Sequence, residues 1–302
     1  MKQLLILSGK GGTGKTTIAS AFIELSQAKA FADCDVDAPN LHLIHRDFET
    51  ESEFDYFGMD KAVIDPQKCI NCGLCKDSCR FDAIHWTYEH SVDTYACEGC
   101  GVCEMICPVD AIQMVRKKAG DLRVFDGQSI FSTAKLKMGS GTSGLLVSEV
   151  KKKLKEAIVD SAWVVPLVII DGSPGIGCPV ISSISGVDMV LIVTEPSVSG
   201  ISDMKRIIAT AQIFNPKLAV CINKYDTNPL LSDEIENYCI QNQLSFVGNI
   251  PYDTQAVEAI NEGVSIVSKP SAAGEAVKRV YEQTIELLFE ESSETLFKIN
   301  MK

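Results

Sequence analysis

The amino-acid sequence predicts an α/β fold with a doubly wound, mostly parallel sheet, interrupted by a small α+β cysteine-rich insert. Three observations support this prediction. A short apolar run, Lys2–Leu7, leads into a glycine-rich loop and a helix with periodic apolar residues. A second buried run, Leu167–Ile170, ends in an acid, and two four-cysteine runs lie between these segments. Strands that alternate with glycine turns and helices are typical of parallel sheets.

Composition limits the class of protein. The chain has 302 residues, 46% of them hydrophobic, which is enough for one substantial core and a small satellite unit. No apolar run approaches the roughly 20 residues that span a bilayer, and no secretory segment follows Met1. We therefore expect no membrane insertion and a cytoplasmic location. Eight cysteines with cluster spacing favour an anaerobe or a low-oxygen cell.

The charge balance is acidic. The chain carries 40 acidic and 28 basic residues, a formal net charge of -12, which repels a polyphosphate backbone. Nucleic acid is therefore not an expected partner. The one dense basic run, Lys151–Lys153 with Lys155, interleaves with apolar residues at four-residue spacing. This pattern predicts the solvated face of an amphipathic helix.

The N-terminal glycine-rich segment has the spacing of a phosphate-binding loop. It reads Gly9-Lys10-Gly11-Gly12-Thr13-Gly14-Lys15-Thr16-Thr17. Glycines allow backbone N–H groups to curl towards phosphate oxygens. Lys15 would reach the β- and γ-phosphates, and the Thr16 hydroxyl would hold Mg²⁺. The loop follows a predicted strand and precedes a predicted helix, which is the context that this motif requires.

Two near-copies of one cysteine pattern lie 28 residues apart, so that Cys69 corresponds to Cys97. Thiolates at this tight spacing hold cubane iron–sulfur clusters, with three cysteines of a run on one cluster and the fourth on the other. The predicted ligands of one [4Fe–4S] cluster are Cys69, Cys72, Cys75 and Cys107. Those of the second cluster are Cys97, Cys100, Cys103 and Cys79.

The duplication extends beyond the cysteines, since Gly73 corresponds to Gly101 and residues 82–84 correspond to residues 110–112. Zinc and disulfides are the alternatives, although zinc sites usually pair short knuckles across a longer loop. The copies differ after the fourth cysteine, where the first copy has Arg80 and the second has Pro108. The second cluster is therefore expected to be more exposed or to have different redox properties. The four histidines show no ligand spacing and are expected to be ordinary surface or core residues: His42, His45, His85 and His90.

Acidic residues follow two further predicted strands. Asp33, Asp35 and Asp37 alternate after the second strand, which would place them on one side of an extended chain. A solvated acidic turn is the alternative. Asp171 ends the strand Leu167–Ile170 and precedes Gly172-Ser173-Pro174-Gly175. An acid and a glycine loop at a strand end indicate a Mg²⁺ site beside a loop that responds to nucleotide.

These segments together resemble the MinD/ParA/Mrp and nitrogenase iron protein superfamily of P-loop ATPases, and the cysteine-rich segment resembles a bacterial-type two-cluster ferredoxin. The resemblance implies a discontinuous MinD-like ATPase domain of residues 1–58 and 117–302, with a ferredoxin insert of residues 59–116. It implies that Lys10 is a signature lysine, which reaches the phosphates of the other protomer in a homodimer closed by ATP. An exposed surface lysine is the alternative.

The resemblance also implies individual roles at the nucleotide. Asp35 would orient the attacking water, Asp33 would support the Mg²⁺ shell, and Asp171 would bind Mg²⁺ through water. The Gly175 N–H would sense the γ-phosphate. Two strand ends resemble adenine-binding segments, and their residues are Asn223, Pro251 and Asp253.

One departure concerns cysteines outside the insert. Cluster carriers of the Mrp branch often have a Cys-x2-Cys pair in the ATPase domain, and this chain has none there. Cys178 occupies the register of a bridging thiol of the nitrogenase iron protein, but its companion would be expected within residues 139–146, which contain no cysteine. Cys178 is thus either part of an interfacial cluster or an ordinary, partly buried cysteine.

Three functions fit these patterns. The first is an ATP-binding and ATP-hydrolysing iron–sulfur protein with nucleotide-gated electron transfer to a redox partner. The second is an assembly factor that delivers a cluster to an apo iron–sulfur protein, and the third is a non-enzymatic ATP-binding scaffold. The expected cofactors are ATP or ADP, Mg²⁺ and two [4Fe–4S] clusters.

Overall fold

Nine strands form one sheet and four short strands form two smaller sheets within residues 1–45 and 48–290, the part of the chain that the computed structural model describes. The strands are β1 (Lys2–Leu7), β2 (Ala30–Asp33), β3 (Phe48–Phe57), β4 (Lys61–Ile64), β5 (Ile84–Trp86), β6 (His90–Val92), β7 (Ile112–Val115), β8 (Lys118–Gly127), β9 (Ile130–Leu136), β10 (Leu167–Asp171), β11 (Met189–Thr194), β12 (Lys217–Asn223) and β13 (Ser245–Ile250). The α-helices are α1 (Lys15–Ser26), α2 (Leu74–Asp77), α3 (Val102–Met105), α4 (Ser143–Asp160), α5 (Cys178–Ile184), α6 (Val198–Gln212), α7 (Pro229–Gln241), α8 (Thr254–Glu262) and α9 (Ala272–Phe289).

The large sheet has the strand order β13-β12-β11-β1-β10-β2-β9-β8-β3. The seven strands from β13 to β9 are parallel, whereas β8 and β3 are antiparallel to their neighbours. The predicted mostly parallel α/β sheet is therefore confirmed. The first strand, β1, lies at the centre between β10 and β11, so the loop that follows it opens at the carboxyl edge of the sheet.

Helices cover both faces of the sheet, because side chains alternate between the faces along each strand. Leu5 and Leu7 join a core with residues of α4, α5, α6 and α7. Leu4 and Ile6 join a second core with residues of α1, α8 and α9. All four side chains are fully buried, as expected for a central parallel strand.

The antiparallel edge pair, β3 and β8, is a feature that the sequence analysis did not predict. The side chains of β3 are mostly polar and exposed, so β3 has no apolar alternation to mark it as a strand. Its first residue is anchored by aromatic packing: the Phe48 ring lies 5.1 Å from Phe125 and 5.6 Å from Phe131 between ring centroids. Because β3 ends at residue 57 and β8 begins at residue 118, the cysteine-rich segment is carried at the end of this pair.

The cysteine-rich segment forms a small unit of two antiparallel strand pairs, β4–β7 and β5–β6, with the short helices α2 and α3. The sequence repeat is matched by a structural repeat. Gly73 and Gly101 precede the two helices with φ angles of 83° and 76°, and Asp82 and Asp110 have φ angles of 49° and 48°. The unit has a core of its own, which includes Ile84 and its counterpart Ile112.

Helix α4 buries the apolar stripe that its spacing predicts, but its basic face is not entirely solvated. Lys151 is partly buried, and its Nζ donates hydrogen bonds to the carbonyls of Ser182, Ser183 and Ser185 at 3.3, 2.8 and 2.6 Å. It thereby satisfies carbonyls at the end of α5. Residues 1–45 and 48–290 contain no helix with the length and apolarity needed to cross a membrane.

Candidate functional site

The glycine-rich loop joins β1 to α1 at the carboxyl edge of the sheet. Gly12 and Gly14 have φ angles of 79° and 89°, in the left-handed region that glycine adopts most easily. A Cβ on Gly14 would also lie 2.3 Å from the Nδ2 atom of Asn223. Glycine at position 14 therefore serves both the backbone turn and the close approach of a neighbouring strand end.

A cavity of about 520 Å³ lies over this loop. Asp35 and the neighbouring Asp37 and Asn40 line it from the segment after β2, and Ser173 lines it from the loop after β10. Gly9, Gly175, Asp33 and Asp171 are not part of its lining. The predicted loop residues that line the cavity are Lys10, Gly11, Gly12, Thr13, Gly14, Lys15, Thr16 and Thr17.

Beside this cavity, Lys15 and Thr16 both contact Asp171. The Lys15 Nζ lies 2.5 Å from Asp171 Oδ1, and the Thr16 hydroxyl donates a 2.7 Å hydrogen bond to Asp171 Oδ2. Asp171 is fully buried. Burial by itself would lower the pKa of Lys15, but the carboxylates of Asp171, Asp33 and Asp35 together outweigh this effect and raise it. Lys15 is thus held as a cation next to the place that the sequence assigns to Mg²⁺.

Asp33 is fully buried behind the cavity, at the end of β2. Its carboxylate accepts hydrogen bonds from the backbone N–H groups of Asp35, Asn40 and Leu41 at 3.0, 2.9 and 3.0 Å. Burial raises the pKa of Asp33 to about 7, and the nearby Asp171 charge adds to this rise. Asp33 therefore organises the loop that presents Asp35, whose own pKa is also raised by burial.

The expected arrangement of three carboxylates on one side of an extended chain is wrong. The chain turns after β2, with the Ala38 N–H donating to the Asp35 carbonyl at 3.1 Å. Asp33 is buried, while Asp37 is exposed on the turn. Strand alternation does not apply here because the backbone N–H groups are drawn around the Asp33 carboxylate.

The Lys10 side chain contacts the segment between β11 and α6. Its Nζ lies 2.5 Å from Glu195 Oε1, and 3.4 and 3.3 Å from the hydroxyls of Ser197 and Ser199. Glu195 also lies 3.7 Å from the Lys224 Nζ. Glu195 was not among the predicted site residues, although it directly follows the buried strand β11 and the ends of parallel strands converge at one edge of the sheet.

A second cavity of about 140 Å³ adjoins the first and shares Gly12 and Gly14 with it. Its apolar wall includes Ile260 and Val277, and the predicted Asn223, Pro251 and Asp253 also line it. A slot with an apolar wall beside a phosphate-binding loop has the form of a base pocket.

Asn223 and Asp253 are already engaged within the protein. Asn223 Nδ2 donates to the Thr13 carbonyl at 2.7 Å, and its Oδ1 accepts from the Lys224 N–H at 3.0 Å. The Asp253 carboxylate accepts from the backbone N–H groups of Gln255 and Ala273 at 2.9 and 3.2 Å. Both residues therefore brace the walls of the pocket through these bonds.

The loop after β10 is tied to two neighbouring segments. The Gly175 N–H, predicted to sense a phosphate, donates to the Ser8 carbonyl at 3.0 Å. The Ser173 hydroxyl donates to the Cys34 carbonyl at 2.5 Å. The Gly175 N–H could contact a phosphate only if its hydrogen bond to Ser8 broke. In this structure the loop is therefore bonded to the residue that follows β1.

The cysteine-rich unit contains two separate cavities, each lined by four cysteines. The first cysteine cavity is lined by Cys69, Cys72, Cys75 and Cys107. The second cysteine cavity is lined by Cys79, Cys97, Cys100 and Cys103. These are the two crossed sets that the spacing predicts.

All twelve cysteines of the chain are free thiols. In the described residues, no three or more His, Cys, Asp or Glu side chains are grouped so as to hold a metal ion. Four thiols around each small cavity are nevertheless the donor set of a cubane cluster. In the first cysteine cavity the Ala111 N–H also donates to Cys107 Sγ at 3.2 Å.

One histidine lies at the first cysteine cavity. His90 is 8% exposed and lines this cavity. Neither ring nitrogen has a hydrogen-bond partner among the described residues. His90 was predicted to be an ordinary surface or core residue, because its spacing from the cysteines resembles no ligand motif.

Cys178 lies at the first position of α5 and is exposed. A Cβ on Gly144, in the first turn of α4, would lie 3.0 Å from Cys178 Cβ. The segment in which a companion thiol was expected is therefore adjacent to Cys178. The same segment contacts the cysteine-rich unit, since a Cβ on Gly139 would lie 2.4 Å from the Tyr95 ring.

Comparison with known proteins adds to this geometry. The family model of the CobQ/CobB/MinD/ParA nucleotide binding domain matches residues 4–266. An uncharacterised protein of Methanocaldococcus jannaschii is 32% identical over 292 residues, which are 95% of this chain and 97% of that protein. A Mycobacterium tuberculosis ferredoxin is 45% identical over 31 residues, 10% of this chain and 27% of the ferredoxin.

Two solved structures have a similar fold. The cell division ATPase MinD of Pyrococcus furiosus superimposes with a TM-score of 0.55 at 20% identity, over 95% of this chain and 99% of that one. The septum site-determining protein MinD of Pyrococcus horikoshii, complexed with Mg-ADP, superimposes with a TM-score of 0.56 at 19% identity, over 95% of this chain and 97% of that one. At these identities the likeness establishes the fold.

Proposed function

Because this chain belongs to the CobQ/CobB/MinD/ParA nucleotide-binding family, we propose that it is an ATP-hydrolysing iron–sulfur protein in which nucleotide gates electron transfer to a redox partner. One observation carries the proposal. The chain that places Lys15, Thr16 and Asp171 at a cavity of about 520 Å³ over the glycine-rich loop also surrounds two further cavities with four thiols each. Neither half of this arrangement by itself would link nucleotide to redox chemistry.

The proposed nucleotide binding depends on one buried ion pair, whose two members would exchange each other for the phosphates and Mg²⁺. Lys15 and Asp171 neutralise each other in this structure. An incoming nucleotide would offer phosphate oxygens to Lys15 and Mg²⁺ to Thr16 and Asp171, so each charge would keep an opposite partner. Asp35 lines the same cavity and would position the attacking water. The adjoining slot beside Pro251 would take the base.

Hydrolysis would require a homodimer. The Lys10 side chain is paired with Glu195 of its own protomer and is partly exposed. In a face-to-face dimer, this lysine would stabilise charge on the phosphates of the other protomer, as an arginine finger does. Bound ATP would close the dimer, and ATP turnover by a protomer outside the closed dimer would be slow.

The two cysteine cavities fit [4Fe–4S] clusters through their donor sets. Cys69, Cys72, Cys75 and Cys107 would hold one, and the second would be held by Cys79, Cys97, Cys100 and Cys103. Such clusters supply one-electron redox chemistry. The residues of the chain supply thiolates and an apolar surround.

Two contacts made by residues 139–144 connect the cysteine-rich unit with the start of α5. Tyr95 of the cysteine-rich unit packs against Gly139. A few residues later, Gly144 packs against Cys178, which follows directly on the loop that contains Gly175. A loop that rearranges with nucleotide could thereby shift α4 and the cysteine-rich unit together. Coupling of this kind commonly amounts to about 1 to 3 kcal/mol.

The first experiment tests the clusters. Full-length protein is reconstituted anaerobically, and iron, acid-labile sulfide and EPR signals are measured. We expect about eight iron atoms per chain, and about four in Cys107→Ser and in Cys79→Ser, each variant losing a different EPR signal. Cys178→Ser is the matched control and should keep both signals. Zinc without sulfide in the purified protein would contradict the proposal.

The second experiment tests the gating. A redox titration is followed by EPR with and without Mg²⁺ and a non-hydrolysable ATP analogue, together with the rate at which an artificial acceptor is reduced. A tenfold shift in the reduction equilibrium, about 59 mV, would support gating. Two signals that nucleotide leaves unchanged in both potential and transfer rate would reject it. Activation of an apo iron–sulfur protein by labelled clusters would then favour delivery.

A further inference from the structure

We propose that His90 donates a hydrogen bond to the cluster in the first cysteine cavity, and that this cluster is consequently reduced at a higher potential than the cluster in the second. The inference rests on the proposed function in assuming that both cavities hold clusters. It goes further in assigning different redox properties to two sites that the sequence repeat makes otherwise alike.

The first observation is the state of the His90 ring. His90 is buried at 8% exposure, and its two ring nitrogens have no hydrogen-bond partner among the described residues. Its ring packs edge-on against Trp86, with centroids 4.6 Å apart. A buried N–H without an acceptor is costly and rare in folded proteins. Since His90 lines the first cysteine cavity, an acceptor inside that cavity would resolve this deficit.

The second observation comes from the repeat itself. The position 28 residues before His90 is Ala62, and Ala62 lines the second cysteine cavity. The strand partners repeat as well, because His90 faces Trp86 across β5–β6 and Ala62 faces Met114 across β4–β7. Positions 90 and 62 thus occupy equivalent places at the two cavities, but position 90 carries an imidazole and position 62 a methyl group.

A second difference acts in the same direction. Glu98 lines the second cysteine cavity, and its repeat counterpart Ile70 lines the first. Reduction adds negative charge to a cluster, so an N–H donor favours it and a nearby carboxylate opposes it. His90 therefore raises the potential of the first site, and the exposed Glu98 lowers that of the second through solvent.

His90 acts here as a positioning and tuning residue, without becoming a ligand. The four thiols complete the donor set of the first cysteine cavity without it. The exposed Arg80, which follows Cys79 in place of the proline of the other copy, would act on the second site through solvent. The potential of each site is therefore compared between the unmodified protein and a variant, because Arg80 is the same in both.

The test compares midpoint potentials in reconstituted full-length protein, with signals assigned by Cys107→Ser and Cys79→Ser. His90→Phe keeps a ring against Trp86 but removes the N–H donors, and His90→Gln restores a donor. We expect His90→Phe to lower the potential of the first site by a tenfold change in its reduction equilibrium, about 59 mV. The second site should not move, and His90→Gln should recover part of the shift.

Glu98→Gln provides an independent variant in the other cavity and should raise the potential of the second site alone. Equal potentials in the unmodified protein, or unchanged potentials in His90→Phe with full iron and sulfide content, would overturn the inference while leaving the clusters established. A lack of iron and sulfide in the unmodified protein would instead contradict the proposed function. If His90→Phe fails to bind clusters, His90→Leu takes its place as the variant without an N–H donor, and equal potentials of the two sites in the unmodified protein would still overturn the inference.

Discussion

The ammonium group of Lys10 lies 2.5 Å from the carboxylate of Glu195 in the same protomer. Lys10 therefore already has an ion-pair partner before a dimer forms, because Glu195 follows the neighbouring strand β11. Both side chains are partly exposed, at 35% and 20%, so the pair contributes no more than about 1 kcal/mol. A contact of this strength can hold the lysine in place and still release it to a phosphate in another protomer.

Glu195→Gln should make Lys10 more available to a partner. Because the lost pair is worth up to about 1 kcal/mol, we expect ATP-dependent dimerisation and hydrolysis to rise by up to about fivefold at limiting protein concentration. The measurement is steady-state ATPase activity against protein concentration, with light scattering for the dimer. Lower activity in Glu195→Gln would indicate that Glu195 positions Lys10 productively.

Mixed dimers test whether Lys10 acts in trans. Lys10→Ala and Lys15→Ala should each be inactive alone, since removal of one charge-stabilising group commonly lowers turnover about a hundredfold or more. A mixture of the two should regain activity, because the Lys10→Ala protomer keeps its own Lys15 and receives Lys10 from its partner. If Lys10 serves its own loop, the mixture will stay inactive.

Lys15→Ala should also destabilise the nucleotide-free protein. Its removal leaves the fully buried Asp171 without a cation, and breaking a buried pair in this way costs about 3 kcal/mol or more. Lys2→Ala is the matched control, since Lys2 forms a partly exposed pair with Asp188 at 3.1 Å, worth about 1 kcal/mol at most. Urea unfolding followed by circular dichroism should separate the two variants; equal losses would argue against a structural role for the buried pair.

Asn223→Ala should weaken ATP and GTP binding by the same factor. Its amide donates to the Thr13 carbonyl and accepts from Lys224, so we expect it to brace the loop and not to read the base. Loss of one such hydrogen bond is worth about 1 kcal/mol, or about fivefold in affinity. Calorimetric titration with both nucleotides provides the measurement. A change in the ratio of the two affinities would assign Asn223 to base recognition.

The stability of the protein should fall in mild alkali because of buried thiols. Burial raises the pKa of Cys221 to about 12, whereas an unfolded cysteine ionises near about 8.5. Above that value the unfolded chain loses a proton that the folded chain retains, so the free energy of unfolding decreases by about 2 kcal/mol per such group by about pH 10. Cys221→Ala should show a shallower decrease between about pH 8 and pH 10.

Cys178→Ala is the control for this experiment, because Cys178 is exposed on α5. Its unfolding should follow the pH dependence of the unmodified protein. The unfolding midpoint in urea, measured at several pH values, compares the three proteins. A parallel decrease in all three would show that other groups dominate the alkaline loss.

Local patterns were enough to predict several elements. The apolar run before the glycine loop predicted the strand β1, and the apolar run that ends in Asp171 predicted the strand β10, which lies parallel beside it. The strand β3 was not predicted because its side chains are mostly polar and exposed without alternation, so only its pairing with β8 identifies it as a strand. The turn after Asp33 was also hidden, because the buried carboxylate draws three backbone N–H groups around itself.

Local sequence patterns identify the groups proposed to bind phosphate and iron, since glycine loops and cysteine runs act through residues a few positions apart. Which distant groups those residues contact depends on the tertiary structure. Lys10 contacts Ser197, 187 positions away, because strand order brings β1 beside β11. His90 reaches the first cysteine cavity because a strand of one repeat packs over the thiols. Spacing along the chain carries no information about such contacts, which depend on sheet order and burial.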